Sequence, residues 1–180
     1  MSTKNLQDKY AAPVIVLHWL TLLLLIAVYS FIELRELFPK DSDPRNLLKS
    51  LHFMFGLTVL AVVCLRLLFR LSSRTPAIEP PPSPLVHRLG QAMHVVLYAF
   101  LLCMPLAGWL MLSAAGKPIP FFGLELPPLT GENEALAKTI KSAHTTAGSI
   151  GYLLIAAHAL AGLYHHYVRR DNTLKRMLPG

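Results

Sequence analysis

The chain has 180 residues, of which 53% are hydrophobic and only 15% are charged, and its formal net charge is +7. Soluble domains carry about 25% charged residues, so this composition excludes an ordinary soluble fold and also a disordered chain. Two cysteines exclude a disulfide scaffold. The basic residues lie between long apolar runs, which argues against a nucleic-acid-binding protein. The composition therefore predicts an integral membrane protein.

Four long uncharged segments predict four membrane-spanning helices. They contain 23, 16, 28 and 27 residues, and about 20 apolar residues cross the hydrocarbon core as a helix. The second segment is long enough if Arg66 and Arg70 extend towards the headgroups. The predicted spans are about 13–33, 48–70, 89–113 and 142–168, and they form an all-α four-helix bundle that makes residues 1–180 a single domain.

The distribution of charge predicts the orientation of these helices. With four spans, the N-terminus, the middle loop and the C-terminus lie on one side, which carries ten Lys and Arg residues against three Asp and Glu residues. The opposite side carries seven of each. Loops rich in Lys and Arg face the cytoplasm, so both termini are predicted to be cytoplasmic.

Histidines inside the spans are the candidate functional residues, because ionisable side chains are costly in a membrane. The spans contain His18, His52, His94, His144, His158 and His165. Each could instead be a neutral imidazole bonded to a neighbouring helix. However, His144 and His158 are 14 residues apart, which places them within about 40° of one helix face and roughly 21 Å apart along the axis. Two ligands at two depths suit two stacked haems.

Matching depths predict how the histidines pair. His18 and His158 both lie in the cytoplasmic half and would hold an inner haem, whereas His52 and His144 lie near the outer surface and would hold an outer haem. A zinc site fits less well, because it needs several ligands close together. An iron held by two imidazoles has no open position, which favours one-electron transfer. Glycines on these helix faces would leave room for a flat macrocycle, although glycine also serves helix packing; they are Gly56, Gly148, Gly151 and Gly162.

Basic residues near the histidines are candidates for contacts with haem propionates. Lys49 and Lys141 each precede an outer histidine by three residues, and Arg66 follows His52 by 14 residues, at the depth of the inner haem. Solvated lysines at the interface and an arginine that extends to the headgroups are the alternatives.

Two more span histidines, His94 and His165, enter from the cytoplasmic side near the inner pair. They could flank a quinone, whose carbonyl groups accept hydrogen bonds and protons. The alternative is that both are interfacial residues bonded to headgroups or water.

Several motifs resemble those of the bacterial cytochrome b561 family. They are Leu17–Trp19, His52 with Gly56, Val63–Arg70, His94–Tyr98, His144–Tyr152 and the C-terminal D-N-T-L-x-R-M-x-P of Asp171–Pro179. The resemblance extends from about Tyr10 to Pro179, and the last motif is its most specific part. It implies four helices, two haem b groups and a location in the bacterial inner membrane. It also implies that the four paired histidines are the axial ligands.

The resemblance further implies an activity, since an enterobacterial member of this family oxidises superoxide outside the membrane and reduces ubiquinone. The expected partners are the lipid bilayer, a quinone and superoxide, with no nucleic acid and no obligatory protein partner. One alternative is a cytochrome b anchor subunit that passes electrons between a partner dehydrogenase or hydrogenase and quinone. Another is a small transporter with histidines as proton relays.

Basic residues on the outer side could attract a small anion such as superoxide to the electron entry point. The candidates for this steering are Arg35, Lys117, Lys138 and Lys141. The outer side is neutral overall, so any attraction must come from their local arrangement. The alternative is that they anchor helix ends in the headgroups.

Overall fold

The computed structural model describes residues 9–179. Four long helices account for most of the chain, joined by short turns and one two-stranded hairpin. The helices are α1 (Ala12–Leu34), α2 (Asp43–Ser72), α3 (Pro84–Ala114) and α4 (Glu134–Tyr164), and the antiparallel strands are β1 (Pro120–Phe121) and β2 (Leu124–Glu125). Short turns of other helix types cover Arg35–Leu37, His165–Arg169 and Lys175–Met177.

All four helices are long and apolar enough to cross a membrane, which confirms the predicted fold class. Large apolar side chains cover the outside of the bundle; Leu68, Val95 and Leu153, for example, are 64%, 68% and 72% exposed. In water such a surface would aggregate, whereas in a bilayer it meets lipid tails. The chain is therefore a multi-pass membrane protein.

The helices begin earlier than the charge-based spans, because helical structure continues beyond the uncharged segments. The largest difference is in α4, which begins at Glu134 rather than near residue 142. The side chain of Asn133 accepts a hydrogen bond from the Leu136 amide at 3.0 Å and so caps the first turn. This added segment brings Lys138 and Lys141 onto the first turns of α4. That end of the bundle is called outer below because the charge distribution predicts that it faces away from the cytoplasm.

The packing of the bundle is uneven. Backbones approach closely between α1 and α2, between α2 and α3, and between α3 and α4, whereas α4 has no extensive close approach to α1 or α2. The main core joins the first three helices through Leu24, Val59, Val62, Val63 and Leu101. A second cluster, built on Leu57, Leu112 and Ile119, seats the hairpin against the outer end of α2 and α3. The space between α4 and the first two helices is bridged by side chains.

The C-terminal residues 171–178 fold back across one end of the bundle, and we call this segment the C-terminal clasp. Asn172 pairs with the proline-rich middle loop: its Oδ1 accepts from the Glu79 amide at 2.9 Å, and its Nδ2 donates to the Ala77 carbonyl at 3.2 Å. The buried Arg176 donates to the Pro76 carbonyl and lies over the ring of Tyr10, 5.5 Å from its centre.

The clasp also holds the start of α1. The Tyr10 amide donates to the Arg176 carbonyl at 3.1 Å, and Trp19 Nε1 donates to the Met177 carbonyl at 2.7 Å. The start of the described chain, the middle loop and the C-terminal segment therefore lie at the same end of the bundle, as four spans require. Lys4 and Asp8, which contribute to the charge bias, lie outside the described residues.

Candidate functional site

Two histidine pairs face each other across the space beside α4. The outer pair is His52 on α2 and His144 on α4, with ring centres 6.3 Å apart and ring planes inclined by 78°. The inner pair is His18 on α1 and His158 on α4, with ring centres 6.2 Å apart and planes inclined by 75°. The structure thus brings together both pairs predicted from depth, with α4 contributing one ring to each.

The separation within each pair fits two imidazoles on opposite sides of one metal ion. A metal–imidazole bond is about 2.0–2.1 Å and the nitrogen lies about 1.1 Å from its ring centre, so two such rings have centres about 6.3 Å apart. A direct hydrogen bond between the rings would bring the centres to about 5 Å. Both measured separations, 6.2 and 6.3 Å, match the first arrangement.

The remaining ligands of such a metal would have to come from outside the protein. Within residues 9–179, no group of three or more His, Cys, Asp or Glu side chains could hold a metal ion. A planar macrocycle such as haem supplies the other ligands of its metal, so it requires two opposed imidazoles and no further protein ligand.

Space for a macrocycle is clearest at the outer pair. A cavity of about 1030 Å³ is lined by His52, His144 and the glycines Gly56, Gly108 and Gly148. Sites for large ligands reach roughly this volume. A methyl group added at Gly56 would meet no atom within 4 Å, so this glycine borders open space.

Gly151 differs from the expectation that it would open onto a haem. A Cβ atom at this position would overlap Tyr29 Oη and Phe100 Cζ, because those two rings already occupy the space beside it. Gly162 fits the expectation, since a Cβ there would have no neighbour within 4 Å.

The orientation of His52 is set by a contact that sequence analysis did not identify. Its Nδ1 lies 3.0 Å from the carbonyl oxygen of Val28 on α1, so Nδ1 carries the proton that this carbonyl accepts. Such a bond fixes the tautomer and leaves Nε2 free for a metal. Because the acceptor is a backbone oxygen, the amino-acid sequence contains no direct signal for it.

His94 lies beside the inner pair, with its ring centre 5.6 Å from that of His158. This separation is shorter than two ligands on opposite sides of a metal require, so His18 is the better partner for His158. His165 lies apart: its Nδ1 is 2.5 Å from Asp171 Oδ2. No hydrogen bond or ring contact joins His94 to His165 among residues 9–179.

Asp171 anchors the clasp beside His165. Its side chain is fully buried and its Oδ1 accepts from the Thr173 amide at 2.9 Å. Burial raises the pKa of the Asp171 carboxyl, but hydrogen bonds from His165 and Thr173 outweigh that effect and hold the pKa below its usual range. Asp171 is therefore an ionised acceptor that orients His165.

The basic residues expected at the outer site do line its cavity, but acidic residues lie among them. The lining includes Arg35, Lys49, Lys117, Lys138 and Lys141, together with Glu33, Glu36, Glu132 and Glu134. Lys138 Nζ is 2.8 Å from Glu134, and Arg35 Nε is 2.9 Å from Glu36. The remaining three lysines form no ion pair with a described residue.

Arg45, which sequence analysis did not single out, changes the charge balance at this cavity. It makes two hydrogen bonds to the Glu36 carboxylate, at 2.9 and 3.0 Å. Glu36 thus pairs with both Arg35 and Arg45. Its single negative charge offsets only one of the two arginines, so one positive charge remains. At the inner level, Arg66 lies 5.4 Å from the ring centre of Tyr98 and its buried Nε has no hydrogen-bond partner in the described chain.

The fold and the site together define a class: a four-helix membrane protein with two opposed histidine pairs, one near each end of the bundle. Comparison with known proteins identifies the family. A profile described as prokaryotic cytochrome b561 matches residues 9–180, and the chain belongs to that family. Its members are electron-transfer proteins, and membership implies b-type haem.

Individual relatives match over nearly their whole length. Cytochrome b561 homolog 1 of Escherichia coli is 38% identical over 96% of this chain and 98% of its own. A Yersinia pestis protein named "Probable superoxide oxidase CybB" is 39% identical over 97% of this chain and 98% of its own. Cytochrome b561 homolog 2 of Escherichia coli is 27% identical over 99% of this chain and 95% of its own.

Proposed function

We propose that this chain is a diheme cytochrome that carries single electrons across the bacterial inner membrane, from periplasmic superoxide to ubiquinone. The observation that carries the proposal is the spacing of the two imidazole pairs, 6.3 Å and 6.2 Å, on one shared helix. His52 and His144 would hold the outer haem, and His18 and His158 the inner haem. A haem held by two imidazoles exchanges single electrons and offers no open position on its iron.

Basic side chains near the two histidine pairs support this assignment, because they could pair with the carboxylates of haem. Arg66 has a buried, unbonded Nε at the inner level, where a carboxylate would relieve the cost of an unpaired donor. Lys49 and Lys141 line the outer cavity without a carboxylate partner among the described residues. These three residues are the proposed propionate contacts.

The charge distribution supports a cytoplasmic location for both termini. The clasp, the middle loop and the start of α1 meet at one end, and the sequence segments of that end carry ten basic against three acidic residues. Basic segments remain on the cytoplasmic side during insertion. The outer cavity then opens towards the periplasm.

Superoxide is the proposed donor because the outer cavity offers positive charge to a small anion. Arg35, Lys117, Lys138 and Lys141 border it, and their steering effect is a rate enhancement that salt weakens. The Yersinia pestis relative's name supports the same reaction. Two superoxide ions would release two electrons and leave as dioxygen.

Ubiquinone is the proposed acceptor at the inner end, where it takes two electrons and two protons to form ubiquinol. His94 lies against His158, and His165 is held by an ionised carboxylate. Imidazoles can donate both hydrogen bonds and protons to quinone oxygens. These two residues are the proposed proton donors.

Purified protein tests the proposal directly. A reduced-minus-oxidised spectrum should give two b-type haems per chain, and anaerobic addition of superoxide should reduce them without another protein. A soluble ubiquinone analogue should then reoxidise them, and superoxide dismutase should abolish the reduction. Haems that superoxide leaves oxidised, but that a partner dehydrogenase reduces, would overturn the proposal in favour of an anchor subunit.

A further inference from the structure

Three helices meet at Gly151, midway between the two histidine pairs. Gly151 lies seven residues after His144 and seven before His158, which is about 10 Å along the helix axis from each. It is buried, and the rings of Tyr29 from α1 and Phe100 from α3 fill the position that its Cβ would occupy.

Tyr29 also fastens α4 to α1 at this level. Its hydroxyl donates to the Gly148 carbonyl at 2.9 Å, and its ring lies 4.4 Å, centre to centre, from that of Tyr152. The preceding residue, Val28, supplies the carbonyl that orients His52. One short segment of α1 therefore contacts both helices of the outer pair.

These contacts matter because α4 has no extensive backbone packing against α1 or α2. Helices that pack directly come within 8–10 Å of each other, and the extensive backbone packing of α4 is against α3. Side-chain contacts must therefore help to hold α4 at the greater distance from α1 and α2 that opposed rings need. Both pairs nevertheless have nearly the same width, 6.2 and 6.3 Å.

We propose that Tyr29 and Phe100, seated on Gly151, form a spacer that sets the width of both histidine pairs at once. The inference rests on the proposed haem ligands. It makes Tyr29, Phe100 and Gly151 positioning residues, which act on the two sites through α4. A change at this spacer should alter both haem sites, whereas a change of one ligand alters one.

The test uses backgrounds with a single haem. His144→Ala should retain the inner haem and His158→Ala the outer one. Gly151→Ala, added to each background, inserts a methyl group where the two rings lie. The rate of haem transfer to excess apomyoglobin should rise in both backgrounds by about fivefold or more, since overpacking of this kind is costly. The electron paramagnetic resonance signal of each haem, which depends on the two imidazole planes, should shift as well.

Gly90→Ala is the matched control, because a Cβ at this α3 glycine would meet no atom within 4 Å. It should leave both transfer rates and both spectra unchanged. Tyr29→Leu provides a second test that shrinks the spacer instead of enlarging it, and it too should speed haem transfer in both backgrounds. Adding Tyr29→Phe and Phe100→Leu to Gly151→Ala should restore the slow rates.

The outcomes separate the two proposals. If the histidine variants do not leave one haem each, the ligand assignment fails, and the spacer fails with it. If they do, but the spacer variants change only one background or neither, the spacer alone is overturned.

Discussion

Replacing Lys141 and Arg35 by glutamine should slow the reduction of the haems by superoxide. Lys141 lines the outer cavity with no carboxylate partner among the described residues. Arg35 and Arg45 both pair with the single carboxylate of Glu36, so these three side chains together carry one positive charge. Replacing Arg35 by glutamine removes that charge. Lys141 is also a proposed propionate contact, but neither residue is a proposed iron ligand, so both haem spectra should remain intact.

The size of the cavity sets the expected magnitude. A volume of about 1030 Å³ corresponds to a sphere about 12 Å across, so a lining charge acts on an anion inside it over about 6–10 Å. In water this distance gives about 0.4–0.7 kcal/mol for each unit charge. Loss of two charges should therefore slow the reaction by about four- to tenfold at low ionic strength. At physiological salt the Debye length is about 8 Å, and the effect should fall to about twofold.

Anaerobic stopped-flow mixing with superoxide, followed at the haem absorbance across a salt series, measures this effect. The control is Lys138→Gln with Glu134→Gln, which removes an exposed ion pair at 2.8 Å and leaves the net charge unchanged. The control should react like the parent protein, and salt should slow the parent more than the Lys141 and Arg35 double variant. An unchanged rate in that double variant, together with no salt dependence in the parent, would refute electrostatic steering.

Three further predictions concern the ligands, the orientation and the clasp. His144→Ala should contain one haem per chain by pyridine haemochrome assay, because it removes a ligand of one site only, and retention of two haems would contradict the assignment. A reporter fused to the C-terminus should read as cytoplasmic because ten basic residues lie on that side; a periplasmic reading would mean that the orientation is wrong. Asn172→Ala should speed hydrogen exchange at the Glu79 amide about tenfold, since it removes the acceptor at 2.9 Å. Asn172→Asp keeps an acceptor and should preserve most of the protection, and equal exchange in both variants would contradict this role.

Much of the site followed from the one-dimensional pattern, because helical geometry turns residue spacing into depth and face. The interval between His144 and His158, with the direction in which each helix crosses the membrane, predicted partners whose rings lie 6.2 and 6.3 Å apart. Three of the four helices followed from uncharged length, since the bilayer has a fixed thickness. The second also required Arg66 and Arg70 to extend towards the headgroups.

The remaining features depend on contacts between residues far apart in the chain, and no periodicity reports them. Gly151, like Gly148, lies at a helical interval after His144. It nevertheless receives the Tyr29 and Phe100 rings rather than bordering open space. Arg45 lies in the first turn of α2, and its importance comes from the carboxylate that it shares with Arg35. The basic residues in the sequence were enough to propose electrostatic steering. The sequence did not show which of them form ion pairs with glutamates and which do not.

The clasp also makes the path of the chain nearly circular. The Tyr10 amide bonds to the Arg176 carbonyl at 3.1 Å, so a short linker could join these two points without crossing the membrane. A circular permutant joined there and opened in the exposed middle loop would keep all four helices, both histidine pairs and every terminus on one side. Exposed loops tolerate such rearrangement when the original ends are close. The order in which the helices are synthesised could then be changed separately from the architecture that they form.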